Sequence, residues 1–276
     1  QRRGKLRHKR GGFNAEVAEI DGRHLANLGI CVLQKLRQHR DDDIRLFVPE
    51  IPDYGETITI RHLIHHTSGL RDYFGLLGMT GWPNDGPVTE AQFLDHVSRQ
   101  KALNFDPGSR YLYSNTGYVL LSILVKRASG KSLREFADQA IFGPLGMGNS
   151  HFRDDHTMLV KHRGLAYSPR SGGWQLNVPG FDVVGDGGLF TTVEDLARWA
   201  RNSDTRTDGG DERAARVLTR GRLTSGDSIP YAYGLIHNVH RGQQVIEHGG
   251  AYGVYRTHLP RFPAHPFAVV TLCNSA

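Results

Sequence analysis

Arg110-Tyr-Leu-Tyr-Ser-Asn-Thr-Gly-Tyr118 runs directly into an apolar segment that ends at Gly130. From Thr116 to Ala128 nearly every helical face is apolar, the pattern of a helix surrounded by protein. Lys126 and Arg127 fall in the last turn and Gly130 follows, the residue types that favour a helix C-terminus. The spacing predicts a buried helix with a phenol, a hydroxyl and an amide (Tyr113, Ser114 and Asn115) at its mouth. Such a triplet on a rigid post suits proton transfer and ligand positioning. A Ser or Asn that N-caps a core helix is the plainer alternative.

Upstream, Thr59 can cap a short helix bearing Ile60, Leu63 and Ile64, which ends at His65-His-Thr-Ser-Gly-Leu70. His62, His65 and His66 have the helical spacing of zinc ligands, but no neighbouring acid or HExxH pattern supports a metal, and none is assigned. Residues 71–87 hold Gly75, Gly78, Gly81, Pro83, Gly86 and Pro87 and read as a long loop that lines a pocket. Thr89-Glu-Ala-Gln92 and Ser132-Leu-Arg-Glu135 are capping boxes, each opening an amphipathic helix. Asp106-Pro-Gly108 is a turn that delivers the chain to Tyr113.

Downstream, residues 149–184 are polar and irregular. Gly185-Asp-Gly-Gly188 lacks the spacings of a phosphate-binding loop and reads as a tight turn into a helix capped by Thr191 and Glu194, with Leu196, Trp199 and Ala200 facing the core. Residues 202–216 read as a polar surface loop. From Tyr231 the period shifts towards strands. Tyr231–His240 and Gln243–Glu247 flank the hairpin signal Arg241-Gly242. His248-Gly-Gly250 then reads as the end of a strand, where glycines let a ligand backbone approach and an imidazole can donate to it. Arg256–Phe262 and Phe267–Cys273 complete an antiparallel meander. Helices first and strands after argue an α+β fold, a helical lobe (about residues 56–180) packed on an antiparallel sheet lobe (about 181–276).

The net charge of +6 is uneven. Residues 1–40 hold ten Lys or Arg against three acids, which leaves +7; the other 24 basic and 25 acidic residues give −1. A basic arm could bind nucleic acid, but the body shows no basic stripe interleaved with aromatics, so no nucleic-acid partner is assigned. Gln1–Gly12 reads as disordered and Phe13–Gln38 as a weak helix. The two cysteines, Cys31 and Cys273, are too few for a disulfide framework or a metal cluster, and each reads as a small buried or incidental residue. No apolar run is long enough to span a membrane, and no export signal is visible.

From Asp41 to Ala276 the sequence resembles the serine β-lactamase and penicillin-binding-protein superfamily, nearest to class C β-lactamase-related hydrolases, esterases and D-amino-acid peptidases. The resemblance rests on His62-Leu-Ile-His-His-Thr-Ser-Gly-Leu70, Pro107-Gly108, Tyr113-Ser-Asn-Thr-Gly-Tyr118, Pro144-Leu-Gly-Met147, Gly187-Gly-Leu-Phe-Thr-Thr192 with Asp195-Leu196, and His248-Gly-Gly250. The order and spacing of these motifs are specific where each alone is weak. The resemblance implies a β-lactamase-like fold, here without the family's N-terminal strands and C-terminal helix. It implies acyl transfer from an amide or ester to a serine, with no cofactor, on a small-molecule or peptide-like substrate. By the same resemblance Tyr113 shares the proton shuttle and Asn115 orients the substrate amide. His248, Gly249 and Gly250 bind the substrate's far side, and a backbone N–H at or beside Ala251 completes the oxyanion hole.

One family element is missing. The S-x-x-K that supplies the nucleophile and its lysine belongs upstream of Asp41, yet residues 1–40 contain no serine. The chain's S-x-x-K is Ser98-Arg-Gln-Lys101, where the family has no catalytic group, and Ser114 has no lysine beside it in sequence. Residues 1–40 therefore read as a leader outside the domain, such as an out-of-frame segment. The expectation is a serine hydrolase domain that is crippled in this chain, and the alternative is a non-catalytic relative that binds ligands in the same cleft. Relatives of this kind are often exported, and the sequence leaves localisation open.

Overall fold

The computed structural model describes residues 40–83, 86–177, 180–205, 215, 217–265 and 267–274. The leader up to residue 39, with its expected helix and Cys31, lies outside the described residues. Helices α1 (Ile60–Ile64), α2 (Tyr73–Met79), α3 (Glu90–Ser98), α4 (Asn115–Ser129) and α5 (Leu133–Ala137) come first. Strand β1 (His151–Phe152) pairs with β4 (Leu189–Phe190), and β2 (Tyr167–Arg170) pairs with β3 (Gly173–Leu176). After α6 (Val193–Thr205) the main sheet runs β5 (Ile236–His240), β6 (Gln243–Tyr252), β7 (Tyr255–Phe262), β8 (Phe267–Ala268), with β9 (Thr271–Cys273) also on β7. These strand pairs are antiparallel, and the fold is α+β.

Helix α4 is the post that its composition demands. No residue from Ser114 to Val125 is exposed. Val119, Leu120, Ile123 and Leu124 are buried against Ile60, Leu63 and Ile64 of α1 and the rest of the core. Each such side chain contributes about 1.5–3 kcal/mol on leaving water. Gly130 ends the helix in the left-handed conformation, φ 72°, with its N–H on the Lys126 carbonyl. The capping boxes of Thr89 and Ser132 close as expected. That of Thr59 closes with an imidazole: His62 Nδ1 accepts the Thr59 N–H at 3.3 Å, while Thr59 Oγ1 accepts the His62 N–H at 3.2 Å.

Several local expectations fail for identifiable reasons. The stretch 71–87 is not all loop. Asp72 caps α2 through the Phe74 N–H, and Tyr73, Leu76 and Leu77 bury one face of it. Gly75 and Gly78 on that helix face open space, so they cost only helix propensity. The cap of α6 is Thr192, whose Oγ1 accepts the Asp195 N–H, because Thr191 Oγ1 is engaged with Ser150 Oγ at 2.7 Å. Helix α6 continues to Thr205, past the start of the expected 202–216 loop. The strand over Tyr231–His240 begins only at Ile236. His248-Gly-Gly250 lies inside β6 rather than at a strand end, opposite Leu259, His258 and Thr257 of β7. Cys273 is exposed and unbridged.

Candidate active site

The chain reaches Tyr113 along a rail. Residues 66–69, just after α1, take three backbone bonds from the incoming loop: Asn104 N–H to Gly69 O (2.8 Å), Gly108 N–H to Thr67 O (2.7 Å) and Leu112 N–H to His66 O (3.0 Å). Tyr113 is thereby held half-exposed at the start of α4. Its ring faces that of His248 on β6, with centroids 6.2 Å apart. The helical and sheet parts of the chain thus bring together the two side chains that the sequence singled out from opposite ends.

Register leaves one edge of β6 open. Strand β5 begins at Ile236, which pairs with Glu247, so among the described residues β6 has no ladder partner on that side from His248 onward. Gly249, Gly250 and Ala251 are all exposed there. An extended ligand could add its backbone to such an edge. The two glycines are not equivalent. A Cβ on Gly250 would lie 2.3 Å from Thr257 Oγ1, whereas on Gly249 the nearest heavy atom is the Thr257 carbonyl oxygen at 3.5 Å. Gly250→Ala is expected to cost about 1–3 kcal/mol by overpacking, and Gly249→Ala less than about 1 kcal/mol. Urea unfolding of the two variants checks this, and the opposite order would contradict the register.

Asn115 is oriented by a residue that sequence reasoning missed. Asp72 Oδ2 accepts both the Asn115 backbone N–H (2.6 Å) and its Nδ2–H (2.8 Å). Anchoring Nδ2 fixes which way the amide points and leaves Oδ1 available to accept a substrate N–H. Ser114 occupies the N-cap position but makes no capping bond, so the plainer reading of the triplet fails. Its Oγ is buried with no hydrogen-bond partner among the described residues. The signal for Asp72 was present: an Asp directly before Tyr-Phe-Gly-Leu-Leu is a helix N-cap.

Asp186 was also missed. Gly185 has φ 117°, and a Cβ there would lie 2.5 Å from the Tyr118 carbonyl oxygen, so the Gly-Asp-Gly-Gly turn presses on α4. This sets Asp186 Oδ2 2.8 Å from the Tyr73 hydroxyl. Burial pushes the Asp186 carboxyl up to about 7, against the lowering effect of the Tyr73 bond. Partial burial, with the Asp186 charge second, pushes the Tyr113 phenol up to about 12. At neutral pH Tyr113 is therefore a proton donor.

The three upstream histidines diverge in this fold. His62 is spent in its capping box. His65 meets Tyr233 edge-on at 5.2 Å. His66, 1% exposed, accepts the Ser114 N–H at Nδ1 (3.1 Å) and lies against Tyr113 and Tyr118, with centroids at 4.1 and 5.0 Å. Among the described residues, groups suited to a cation converge at Asp155, His156 and Asp182, where His156 Nδ1 lies 3.0 Å from both Asp182 oxygens at a partly exposed position. Ser98 Oγ donates to the Asp95 carbonyl on its own helix, and Lys101 is exposed beyond the helix end.

The buried histidines give stability a pH dependence. Desolvation holds His66 at about 3 and His65 at about 4. Both are neutral in the folded state, whereas the unfolded chain protonates them below about pH 6.5. Their contribution is complete above that value and is lost as pH falls, at about 1.4 kcal/mol per pH unit for each. Asp186 acts oppositely, because its folded carboxyl keeps a proton from about pH 4 to 7 that the unfolded chain releases, which cancels one histidine. For these three groups together the expectation is a loss of about 1.4 kcal/mol per pH unit between about pH 6.5 and 4. His62, His151, His237 and His248, also lowered by desolvation, add to it in the same direction, and urea unfolding across that range checks the sign. A flat profile would show that these imidazoles are not desolvated.

The family model described as Beta-lactamase matches residues 28–276. Penicillin-binding protein 4* of Bacillus subtilis is 28% identical over 270 residues, covering 90% of this chain and 58% of that protein. A D-aminopeptidase of Gluconobacter oxydans is 26% identical over 238 residues, covering 85% of this chain and 44% of its own length. The chain thus spans about half the length of the curated relatives it matches. Among solved structures, an octameric penicillin-binding protein homologue from Pyrococcus abyssi superposes with a TM-score of 0.75 at 28% identity, over 90% of this chain and 59% of that one. A penicillin-binding protein from Bacillus halodurans shares the fold, with a TM-score of 0.75 at 24% identity, over 92% of this chain and 81% of that one.

Proposed function

Because this chain belongs to the β-lactamase family, we propose that its cleft takes amide or ester substrates and that the chemistry of the domain, residues 41–276, is acyl transfer to a serine. The Tyr113–His248 pair, 6.2 Å apart beside the open edge of β6, carries this reading. The substrate backbone lies along Gly249, Gly250 and Ala251, where a backbone N–H meets the developing oxyanion. Asn115 Oδ1 accepts the substrate amide N–H. Tyr113 passes a proton between nucleophile and leaving group. The name of the D-aminopeptidase relatives supports, for this chain, substrates that carry a D-amino acid.

Within these 276 residues the reaction stalls at binding. A phenol pushed up to about 12 becomes a base only beside a cation, and the serine–lysine pair that would supply both nucleophile and cation is missing from the motif's place. Loss of the nucleophile cost subtilisin about 10⁶ in rate, and a similar deficit is expected here. Mass spectrometry after benzylpenicillin or a fluorophosphonate, paired with calorimetry on D-phenylalanine amide, tests this. Saturable amide binding without covalent mass gain is the expected result. A stable adduct on a serine would prove a competent nucleophile and overturn the stalled state, and no binding at all would remove the cleft assignment.

A further inference from the structure

Tyr231 stands between the two histidines of the cleft. It is 1% exposed, and its ring meets His66 edge-on at 4.4 Å and His248 edge-on at 5.9 Å. Its hydroxyl lies 3.1 Å from His248 Nε2. On the other side of the imidazole, His248 Nδ1 lies 2.6 Å from the Gly249 carbonyl oxygen. A carbonyl oxygen can only accept, so Nδ1 carries the proton. Nε2 is then the lone-pair nitrogen; the Tyr231 hydroxyl donates its one proton to it, and in its bond with the Tyr118 hydroxyl the Tyr231 oxygen is the acceptor. Burial keeps that phenol protonated by raising it far above its ordinary range.

The surroundings add no charge that would reverse this arrangement. The titratable groups facing His248 are Tyr113, Tyr231 and His66, all neutral at pH 7. Neighbouring Glu247 is engaged with Asn238 Nδ2 and His258 Nε2. We propose that Tyr231 is a positioning residue that fixes His248 as the neutral Nδ1–H imidazole and pins its plane, so that the ring stands opposite Tyr113 as an uncharged wall with no free N–H. The consequence for substrates rests on the acyl-transfer reading above: orientation on this side comes from the backbone of residues 249–251 rather than from an imidazole donor. The tautomer itself rests on the geometry alone.

Long-range proton–nitrogen spectra of the full chain, with the His248 signals identified by His248→Gln, test the proposal. The expected spectrum shows the Nδ1–H tautomer alone at neutral pH, with a titration midpoint below that of an ordinary histidine. Tyr231→Phe keeps the ring and removes the donor. It is expected to give mixed tautomers and a midpoint raised by about one pH unit, the worth of one hydrogen bond. An Nε2–H tautomer in the unaltered protein overturns the proposal, and so does a Tyr231→Phe protein whose His248 signals do not move. If Tyr231→Phe does not fold, the spectrum of the unaltered chain decides. Failure of amide binding would count against the acyl-transfer reading while leaving the tautomer result standing, so the two can fail separately.

Discussion

Gly69→Ala is expected to unfold most of the protein, with a cost of about 4 kcal/mol or more. Two effects combine. Gly69 has φ 74°, and a Cβ there would lie 2.1 Å from the Phe105 carbonyl oxygen. The left-handed conformation alone costs a non-glycine residue about 1–2 kcal/mol. The clash is with backbone, so no rotamer change relieves it, and the loop that must move is the one bonded to residues 66–69 on its way to Tyr113. Gly55→Ala is the control: φ is 81° and nothing lies within 4 Å of the added Cβ. That variant should lose only the conformational term, about 1–2 kcal/mol. Urea unfolding of both separates the terms, and equal losses would mean that the contact between residues 69 and 105 is not as close as described. Three residues before Gly69, His66 also sits at positive φ, 55°. A non-glycine residue held there marks a segment whose shape is over-determined by its surroundings. Those surroundings are the rings of the cleft.

Asp72→Ala is expected to cost about 3 kcal/mol and to disorder the site at once. The carboxylate caps α2 through the Phe74 N–H at 3.0 Å, and a cap of this kind is worth about 1 kcal/mol. Its other oxygen takes two bonds from Asn115, and bonds to a charged group are worth about 1.5–3 kcal/mol each, partly recovered as water replaces them. Thr116 reinforces the same junction: its Oγ1 donates to the Arg71 carbonyl at 2.7 Å and accepts the Tyr73 N–H at 2.9 Å. The fold should therefore survive Asp72→Ala in weakened form while the Asn115 amide turns freely. Asp72→Asn keeps an oxygen acceptor and should fall between the two. Thermal melts give the stability order, and calorimetry with D-phenylalanine amide gives the effect on the cleft. If Asp72→Ala melts with the unaltered protein, the clasp between α2 and α4 carries no weight.

What the residues determined by themselves follows from local rules. Burial of α4 was legible because no exposed residue interrupts its apolar faces over three turns, and its end was legible because Gly130 suits a left-handed cap. The Thr89 and Ser132 boxes are three-residue patterns, and their partners lie within the same turn. Tyr113, Asn115 and His248 were singled out by motif, from residue types and spacings that resemble those of the family. Local rules stop where a group's partner is distant in the chain. Asp72 meets Asn115 across 43 positions, Tyr73 meets Asp186 across 113, and Tyr231 meets His248 across 17. No short-range pattern encodes those pairs. The open edge of β6 was also out of reach, because it depends on where β5 begins, and Tyr231–Leu235 has strand-like composition without joining the ladder. Tertiary packing decided those matters: a buried phenol, carboxyl or imidazole must find its hydrogen-bond partner wherever the chain brings one, and only the folded arrangement says which partner that is.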